Sequence, residues 1–157
     1  MNKSAVEELT TTKTKPVVEE LKKSLANSYA LYLKTHNYHW NVTGPEFYSL
    51  HLMFEKQYDD LAEAVDGLAE RIRALGEKVP GTFTAFTKLS KIEDGDENLS
   101  SKEMIKQLAD DQVILIKTLE KTLEAAEKIN DTVTVDLITQ RMFVHEKNAW
   151  MLNSSLK

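Results

Sequence analysis

The stretch from about Glu46 to Leu75 limits most strongly what this chain can fold into. Its apolar residues recur at the three- and four-residue spacing of one face of an α-helix. The turn sequence NVTGP precedes it and Gly76 follows it, so the pattern predicts one long helix with defined ends. The predicted core stripe of this helix consists of Leu50, Met53, Phe54, Leu61, Ala64, Val65, Leu68, Ile72 and Leu75.

Helical spacing recurs in three further long segments. Pro16 suits the first turn of a helix, and Ser100 followed by Glu103 is typical of a capped helix start. The predicted long helices span about 16–40, 46–75, 100–129 and 132–157, with a short helix near 82–90. Together they predict an all-α four-helix bundle with a short extra helix in the long connection between helices 2 and 3. The bundle domain covers residues 16–157, and the polar residues 1–15 are expected to form a mobile N-terminal tail.

Composition excludes several classes of protein. The 157 residues include no cysteine, which removes disulfides, thiolate metal sites and cysteine nucleophiles. The formal net charge of −5 disfavours a general nucleic-acid binder and suits a protein that attracts cations. No apolar run approaches the roughly 20 residues of a membrane span, and the first residues lack the apolar core of a secretory signal. A cytoplasmic location is therefore expected.

The second helix carries possible metal ligands on a face that points away from its core stripe. With His51 placed at zero, Glu55, Asp66 and Glu70 lie at about 40°, 60° and 100° around the helix axis. His51 and Glu55 are one turn apart, and so are Asp66 and Glu70, so that each pair could hold one ion. The alternative is a solvated acidic face, which is a common fate of carboxylates on a surface helix.

The two pairs are too far apart to share a metal within one chain. Glu55 and Asp66 are separated by about 16 Å along the helix axis, whereas metal–ligand bonds are near 2 Å. However, the midpoint of positions 51 and 70 coincides with that of positions 55 and 66, between Asp60 and Leu61. If two copies of this helix cross antiparallel there, His51 meets Glu70 of the partner subunit and Glu55 meets Asp66 of the partner subunit. An isologous dimer would thus form two identical sites across its two-fold axis.

Further candidates stand at the end of the first helix. The chain reverses after His39, so this imidazole is expected to lie beside His51. Trp40 could donate electrons to a redox metal or could simply fill the core. Histidine and carboxylate ligands without sulfur suit iron, manganese or zinc. No histidine follows a glutamate in a Glu-x-x-His pattern, which argues against a di-iron centre inside the bundle. His36 is expected to support His39, and His145 to be a packed or surface residue.

These motifs resemble the Dps proteins, the mini-ferritins that protect DNA in starved cells. The similarity covers nearly the whole chain after the tail. It is densest in His39-Trp40-Asn41-Val42, Gly44-Pro45, Phe47, Leu50-His51, Asp66 and Ala69-Glu70-Arg71. The resemblance implies a ferritin-like bundle assembled as a hollow homo-dodecamer. It also implies a site for two iron ions at the two-fold interface, with His39, His51 and Glu55 from one subunit and Asp66 and Glu70 from the other.

The activity implied by the resemblance is that of a ferroxidase and iron store. Family members oxidise Fe(II), preferably with hydrogen peroxide, and keep Fe(III) oxide inside the shell. Trp40 would quench oxidising equivalents, and zinc or another divalent metal can substitute for iron. Many members carry aspartate where Glu55 stands, so the longer side chain would shift or weaken the second iron position. The candidate nucleation residues are Asp59 and Glu63, and the candidate pore residues are Glu127, Asp131 and Asp136, with a helix cap as the alternative role of Asp131.

DNA binding is left open by the sequence. The tail carries Lys3, Lys13 and Lys15 against Glu7 and Glu8, so it is only slightly basic. Many copies could add avidity, but the acidic body opposes binding. Two alternatives to a ferroxidase therefore stand. One is a nucleoid-associated DNA-binding protein whose metal site is not redox-active, and the other is a zinc-stabilised helical oligomer.

Overall fold

A computed structural model describes residues 13–157 and confirms the all-helical fold. Within these residues the chain forms helices and no strand. The helices are α1 Lys15–Asn41, α2 Phe47–Ala74, α3 Phe83–Leu89, α4 Ser101–Lys128 and α5 Thr132–Ser154. Residues 1–12 of the predicted tail lie outside the described residues, so the division between tail and bundle stays a prediction. The short helix predicted near 82–90 is α3.

The helix starts follow the capping signals of the sequence. The Thr82 hydroxyl accepts the Ala85 N–H at the start of α3. Ser100 and Glu103 form the predicted capping box at the start of α4, in which the side chain of each residue accepts the backbone N–H of the other. Asp131 caps α5 by accepting the Thr134 N–H. These bonds satisfy N–H groups that have no partner inside the helix, which explains why the helices begin where they do.

The turn between α1 and α2 needs a glycine. Val42 is extended, and Gly44 has a φ of 112°, a conformation that side chains with a Cβ rarely adopt. The chain therefore reverses within a few residues and α2 begins at Phe47. This reversal brings the end of α1 against the start of α2, which positions the candidate site.

The core lies where the predicted stripe of α2 meets the other helices. α1 packs against α2 and α4, and α4 packs against α5. Burial of each large aliphatic side chain contributes roughly 1.5–3 kcal/mol. Of the predicted stripe, Met53 and Val65 are partly buried, and the other members are fully buried: Leu50, Phe54, Leu61, Ala64, Leu68, Ile72 and Leu75.

The interior also holds charged groups that the core pattern did not predict. Lys34 of α1 and Asp111 of α4 are both buried, and the Lys34 Nζ lies 2.8 Å from the Asp111 Oδ2. Burial raises the pKa of Asp111, although the Lys34 ammonium opposes that shift. The pair links α1 to α4, and each of the two buried charges is compensated by the other.

Candidate metal centre

The α1–α2 turn stacks the rings of His39 and His51. Their centroids are 3.7 Å apart and the planes differ by 17°. Each ring binds the backbone of the other residue: the His39 Nδ1 lies 2.8 Å from the His51 carbonyl oxygen, and the His51 Nδ1 lies 2.8 Å from the His39 carbonyl oxygen. The expected neighbourhood of the two imidazoles is thus confirmed, and it is held by two reciprocal bonds.

These reciprocal bonds determine which nitrogen of each ring carries the proton. A carbonyl oxygen can only accept, so each Nδ1 must be the protonated nitrogen. In the neutral imidazole the Nε2 then keeps its lone pair, and no described residue hydrogen-bonds to either Nε2. Metal-binding histidines usually have this arrangement, in which one nitrogen donates to a carbonyl and the other binds the ion. The geometry therefore supports His39 and His51 as ligands.

The three candidate carboxylates are unpaired within the described part of the chain. Glu55 is half-buried, while Asp66 and Glu70 are exposed. None of them forms a hydrogen bond or ion pair with another described residue, even though Arg71 is adjacent to Glu70. Arg71 instead binds Asp131, with its Nη2 2.8 Å from the Asp131 Oδ1. The three carboxylates are therefore not neutralised by salt bridges within the described chain, and they remain candidate ligands for a cation.

One chain does not bring a full ligand set together. Among residues 13–157 there is no group of three or more histidine or acidic side chains that could hold a metal ion. α2 is continuous from Phe47 to Ala74, so the pairs His51/Glu55 and Asp66/Glu70 stay apart along its axis by about 16 Å. The described chain thus presents two separate pairs of candidate ligands. Whether a second copy joins them, and whether all five residues bind metal, stay predictions.

Trp40 does not fill the core of its own bundle, so that alternative is wrong. Its side chain is 59% exposed, because α1 turns this position away from the other helices. Its ring lies on that of His36, with centroids 3.9 Å apart. A role of Trp40 in quenching oxidising equivalents stays a prediction, and its contact with His36, whose ring lies 6.1 Å from that of His39, is compatible with that role.

Sequence reasoning missed Tyr58, whose ring contacts His39. Its ring stacks on His36 with centroids 4.3 Å apart and meets His39 edge-on at 5.0 Å. Burial, followed by the charges of Asp59 and Glu55, raises the pKa of Tyr58. Burial and then His39 lower the pKa of His36, despite the opposing effect of Asp59. The missed signal was its position seven residues after His51, which returns to nearly the same side of the helix.

The cap interpretation of Asp131 is confirmed. It accepts the Thr134 N–H and binds Arg71, so it joins the start of α5 to the end of α2. Burial would raise the pKa of Asp131, but the bonds from Thr134 and Arg71 outweigh it and the net shift is downward. Glu127 and Asp136 are exposed, as are Asp59 and Glu63. Their roles in a pore or in mineral nucleation stay predictions.

Comparisons with known proteins agree with this architecture. The ferritin-like domain family matches residues 18–157. The chain is 35% identical to DNA protection during starvation protein 2 of Bacillus anthracis, over 90% of this chain and 97% of the relative. The structure resembles Dps from Staphylococcus aureus with a TM-score of 0.87 and 37% identity, covering 90% of this chain and 95% of that one.

A second solved structure shows a likeness of fold over the whole chain. DPS protein from Vibrio cholerae O1 has a TM-score of 0.90 and 32% identity, with all of both chains covered. It is described as a member of a broad superfamily of ferritin-like diiron-carboxylate proteins. In the described part of our chain, no helix is long and apolar enough to cross a membrane. The chain belongs to the ferritin-like family and, within it, to the Dps proteins.

Proposed function

We propose that this protein oxidises Fe(II) at a site shared by two subunits and stores the Fe(III) product. The observation that carries the proposal is the His39–His51 pair, whose Nδ1 atoms are bonded to carbonyls and whose Nε2 atoms are free. Such imidazoles together with unpaired carboxylates suit iron, since these ligands can bind it in both oxidation states. The diiron-carboxylate neighbour supports iron as the metal, and zinc has no comparable support.

In the proposed dimer, α2 crosses its copy antiparallel between Asp60 and Leu61. His39, His51 and Glu55 of one subunit then face Asp66 and Glu70 of the other, and the two-fold axis generates a second identical site. The uncovered face of α2 is consistent with such a contact, since Leu52 is a large apolar residue that is exposed there. Further contacts would assemble the dimers into a hollow dodecamer that holds the mineral.

The reaction uses hydrogen peroxide as the preferred oxidant. Two Fe(II) ions held together give two electrons to one peroxide molecule, whose O–O bond breaks to give two molecules of water after uptake of two protons. The two electrons leave together, so hydroxyl radical is not released. His39 and His51 bind through Nε2, while the carboxylates offset the added positive charge. DNA in the cytoplasm would be protected because both Fe(II) and peroxide are consumed.

The test mixes anaerobic Fe(II)-loaded protein with peroxide and follows the absorbance of Fe(III). The double variant His39→Ala/Asp66→Ala should oxidise Fe(II) at least about tenfold more slowly than wild type, since even the groups that support ligands give losses of this size. The control is Asp110→Ala, which removes an exposed carboxylate of α4 that pairs with Lys106. Equal rates for the double variant and wild type would show that the site is wrongly assigned.

DNA binding without redox chemistry is the alternative, and the net charge of −5 disfavours it. A mobility-shift assay at rising salt separates the two functions. The ferroxidase proposal expects weak DNA binding that disappears as salt increases. Strong binding that persists, together with no oxidation of Fe(II), would favour the alternative.

A further inference from the structure

One layer of the bundle core is polar on three helices. The buried face of α5 carries hydrogen-bonding side chains at three successive positions, Arg141, His145 and Asn148. Gln112 lies on the buried face of α4, and Gln57 lies on that of α2. All five side chains are at least nine-tenths buried. Polar groups at this depth need hydrogen-bond partners, because burial removes their bonds to bulk water.

The three helices bring these positions to one level. α2 and α5 run antiparallel, since the end of α2 is bonded to the start of α5. Asp60 of α2 binds Arg141 of α5. Gln57 precedes Asp60 by about 4.5 Å along the axis and His145 follows Arg141 by about 6 Å, so both lie on the same side of that bond. Gln112 reaches this level as well, because its Oε1 lies 2.7 Å from the His145 Nδ1.

The bonds within the layer determine where the amide of Gln112 points. Burial, followed by the Arg141 charge, lowers the pKa of His145, so the ring is neutral. Arginine only donates, and the His145 Nε2, 3.1 Å from the Arg141 Nη2, must therefore accept. The ring then carries its proton on Nδ1 and donates it to the Gln112 Oε1. The amide nitrogen of Gln112 is left to find a different partner, and no described residue supplies one.

Most of the buried side-chain atoms that lack a hydrogen bond among the described residues lie in this layer. Four nitrogens and one oxygen are concerned: the Gln112 Nε2, the Arg141 Nε, the Asn148 Nδ2 and both amide atoms of Gln57. Burial alone does not cause this, since the buried amide of Asn27 on α1 has partners for both of its polar atoms. α2 lies close to α1 along its length and meets α5 at only a few positions. The unpaired atoms thus stand where α2 is least closely packed.

The chemistry of these atoms selects water as their partner. An anion would suit the donors, but the Arg141 charge is already balanced by Asp60, so the anion would be uncompensated in the core. A cation would meet the Arg141 charge and four N–H groups. A water oxygen accepts from these donors, and its hydrogens can bond to the Gln57 Oε1 or to a second water. We propose that about two water molecules, each making about three hydrogen bonds, are bound between α2, α4 and α5.

A crystal structure of the assembled protein, grown with bromide in place of chloride, tests this site directly. The expected result is water-sized density within hydrogen-bonding distance of Gln57, Gln112 and Arg141, without anomalous signal at the bromine absorption edge. An anomalous peak there would identify an anion and overturn the proposal. Amides turned onto helix carbonyls, with no density between the helices, would overturn it as well.

Gln57→Leu tests the same site in solution. Bound water predicts a thermal unfolding midpoint several degrees below that of wild type, because the donors on α4 and α5 lose the water that Gln57 holds in place. An amide without water predicts the opposite sign, since leucine then removes two unpaired atoms from the core. A rise in the midpoint would therefore contradict the proposal. The control Gln140→Leu replaces an exposed amide of α5 and should shift the midpoint far less.

Oxygen-17 magnetic relaxation dispersion counts the long-lived internal water of each protein. Wild type should hold at least one more such molecule than Gln57→Leu, and equal counts would overturn the proposal. If Gln57→Leu fails to fold, the crystal structure of wild type decides alone. None of these measurements needs iron, so the water site and the proposed function are tested separately.

Discussion

The histidines at the turn and the histidine inside the bundle are bonded in opposite ways. His39 and His51 each bond one nitrogen to a carbonyl and leave the other free. His145 is fully buried and uses both nitrogens: its Nδ1 lies 2.7 Å from the Gln112 Oε1, and its Nε2 lies 3.1 Å from the Arg141 Nη2. Availability of the second nitrogen, rather than residue type, separates a candidate ligand from a structural group.

Charge follows the same division. The buried Arg141 binds the partly exposed Asp60 through two hydrogen bonds, and the buried Lys34 is paired with Asp111. At the proposed metal face, carboxylates such as Glu55 have no partner among the described residues. A buried charge must be paired in its own chain, whereas an exposed carboxylate is solvated by water and stays available to bind a cation. Changes inside should therefore affect folding, and changes at the turn should affect metal binding.

The largest effect is expected from Asp111→Asn. This change leaves the buried Lys34 ammonium without its counter-charge and should lower the free energy of unfolding by about 3–5 kcal/mol. Urea unfolding followed by circular dichroism measures it. The neighbouring control Asp110→Asn breaks an exposed pair with Lys106 and should cost no more than about 1 kcal/mol. Similar losses for both variants would contradict the division between interior and surface charge.

His51→Ala should affect metal binding at the turn rather than folding. It removes one free Nε2, and anaerobic Fe(II) affinity should fall at least about 10–100-fold, the loss that even supporting groups cause. Titration calorimetry measures the affinity. His145→Gln is the matched histidine control and should leave the affinity unchanged, because neither nitrogen of His145 is free. If His145→Gln weakens binding as much as His51→Ala, the assignment of roles is wrong.

His145 should also make stability depend on pH. Burial, followed by the Arg141 charge, lowers its pKa to about 3, against 6.5 for an ordinary histidine, and Asp60 only partly opposes this. Between these values the unfolded chain binds one more proton. The stability is therefore complete above about pH 6.5 and falls as the pH drops, by up to about 1.4 kcal/mol per unit.

The measurement is urea unfolding of wild type and His145→Gln at several values between about pH 6 and pH 4. Acidic residues contribute to both proteins equally, so the difference in slope isolates His145. Parallel slopes would show that His145 is not held neutral by its surroundings.

Gly44→Ala should have the smallest effect. The φ of 112° is unfavourable for alanine, so we expect a loss of roughly 1 kcal/mol and a modest weakening of metal binding as His39 moves relative to His51. Gly81→Ala is the control, since a Cβ there meets no atom within 4 Å and no unusual φ is required. Equal unfolding midpoints for the two variants would mean that the turn does not restrain the histidine pair.

Much of the fold could be predicted because its signals are local. Helical spacing, the Ser100–Glu103 capping box and the NVTGP turn each depend on neighbours in sequence, and all three appear in the structure. The same spacing placed the candidate ligands of α2 away from its core stripe.

The remaining features depend on side-chain conformations and on residues distant in sequence. Periodicity tells which face a residue occupies, but it does not tell that His39 and His51 exchange bonds with each other's carbonyls. Arg141 and Asp60 lie 81 positions apart, so their pairing needs the packing of α5 on α2. The exposure of Trp40 and the position of Tyr58 against His39 likewise follow from tertiary structure.

The central claim is that two half-sites from different copies make one metal centre. It is tested by co-assembling His39→Ala/His51→Ala subunits with Asp66→Ala/Glu70→Ala subunits, purified through a separate tag on each. Each variant alone should be nearly inactive in Fe(II) oxidation, because every site lacks one half. In the mixed assembly, subunits paired at random should restore intact sites to about a quarter of the wild-type number, with a matching rise in rate. A co-assembled protein no more active than the two variants alone would contradict the shared site.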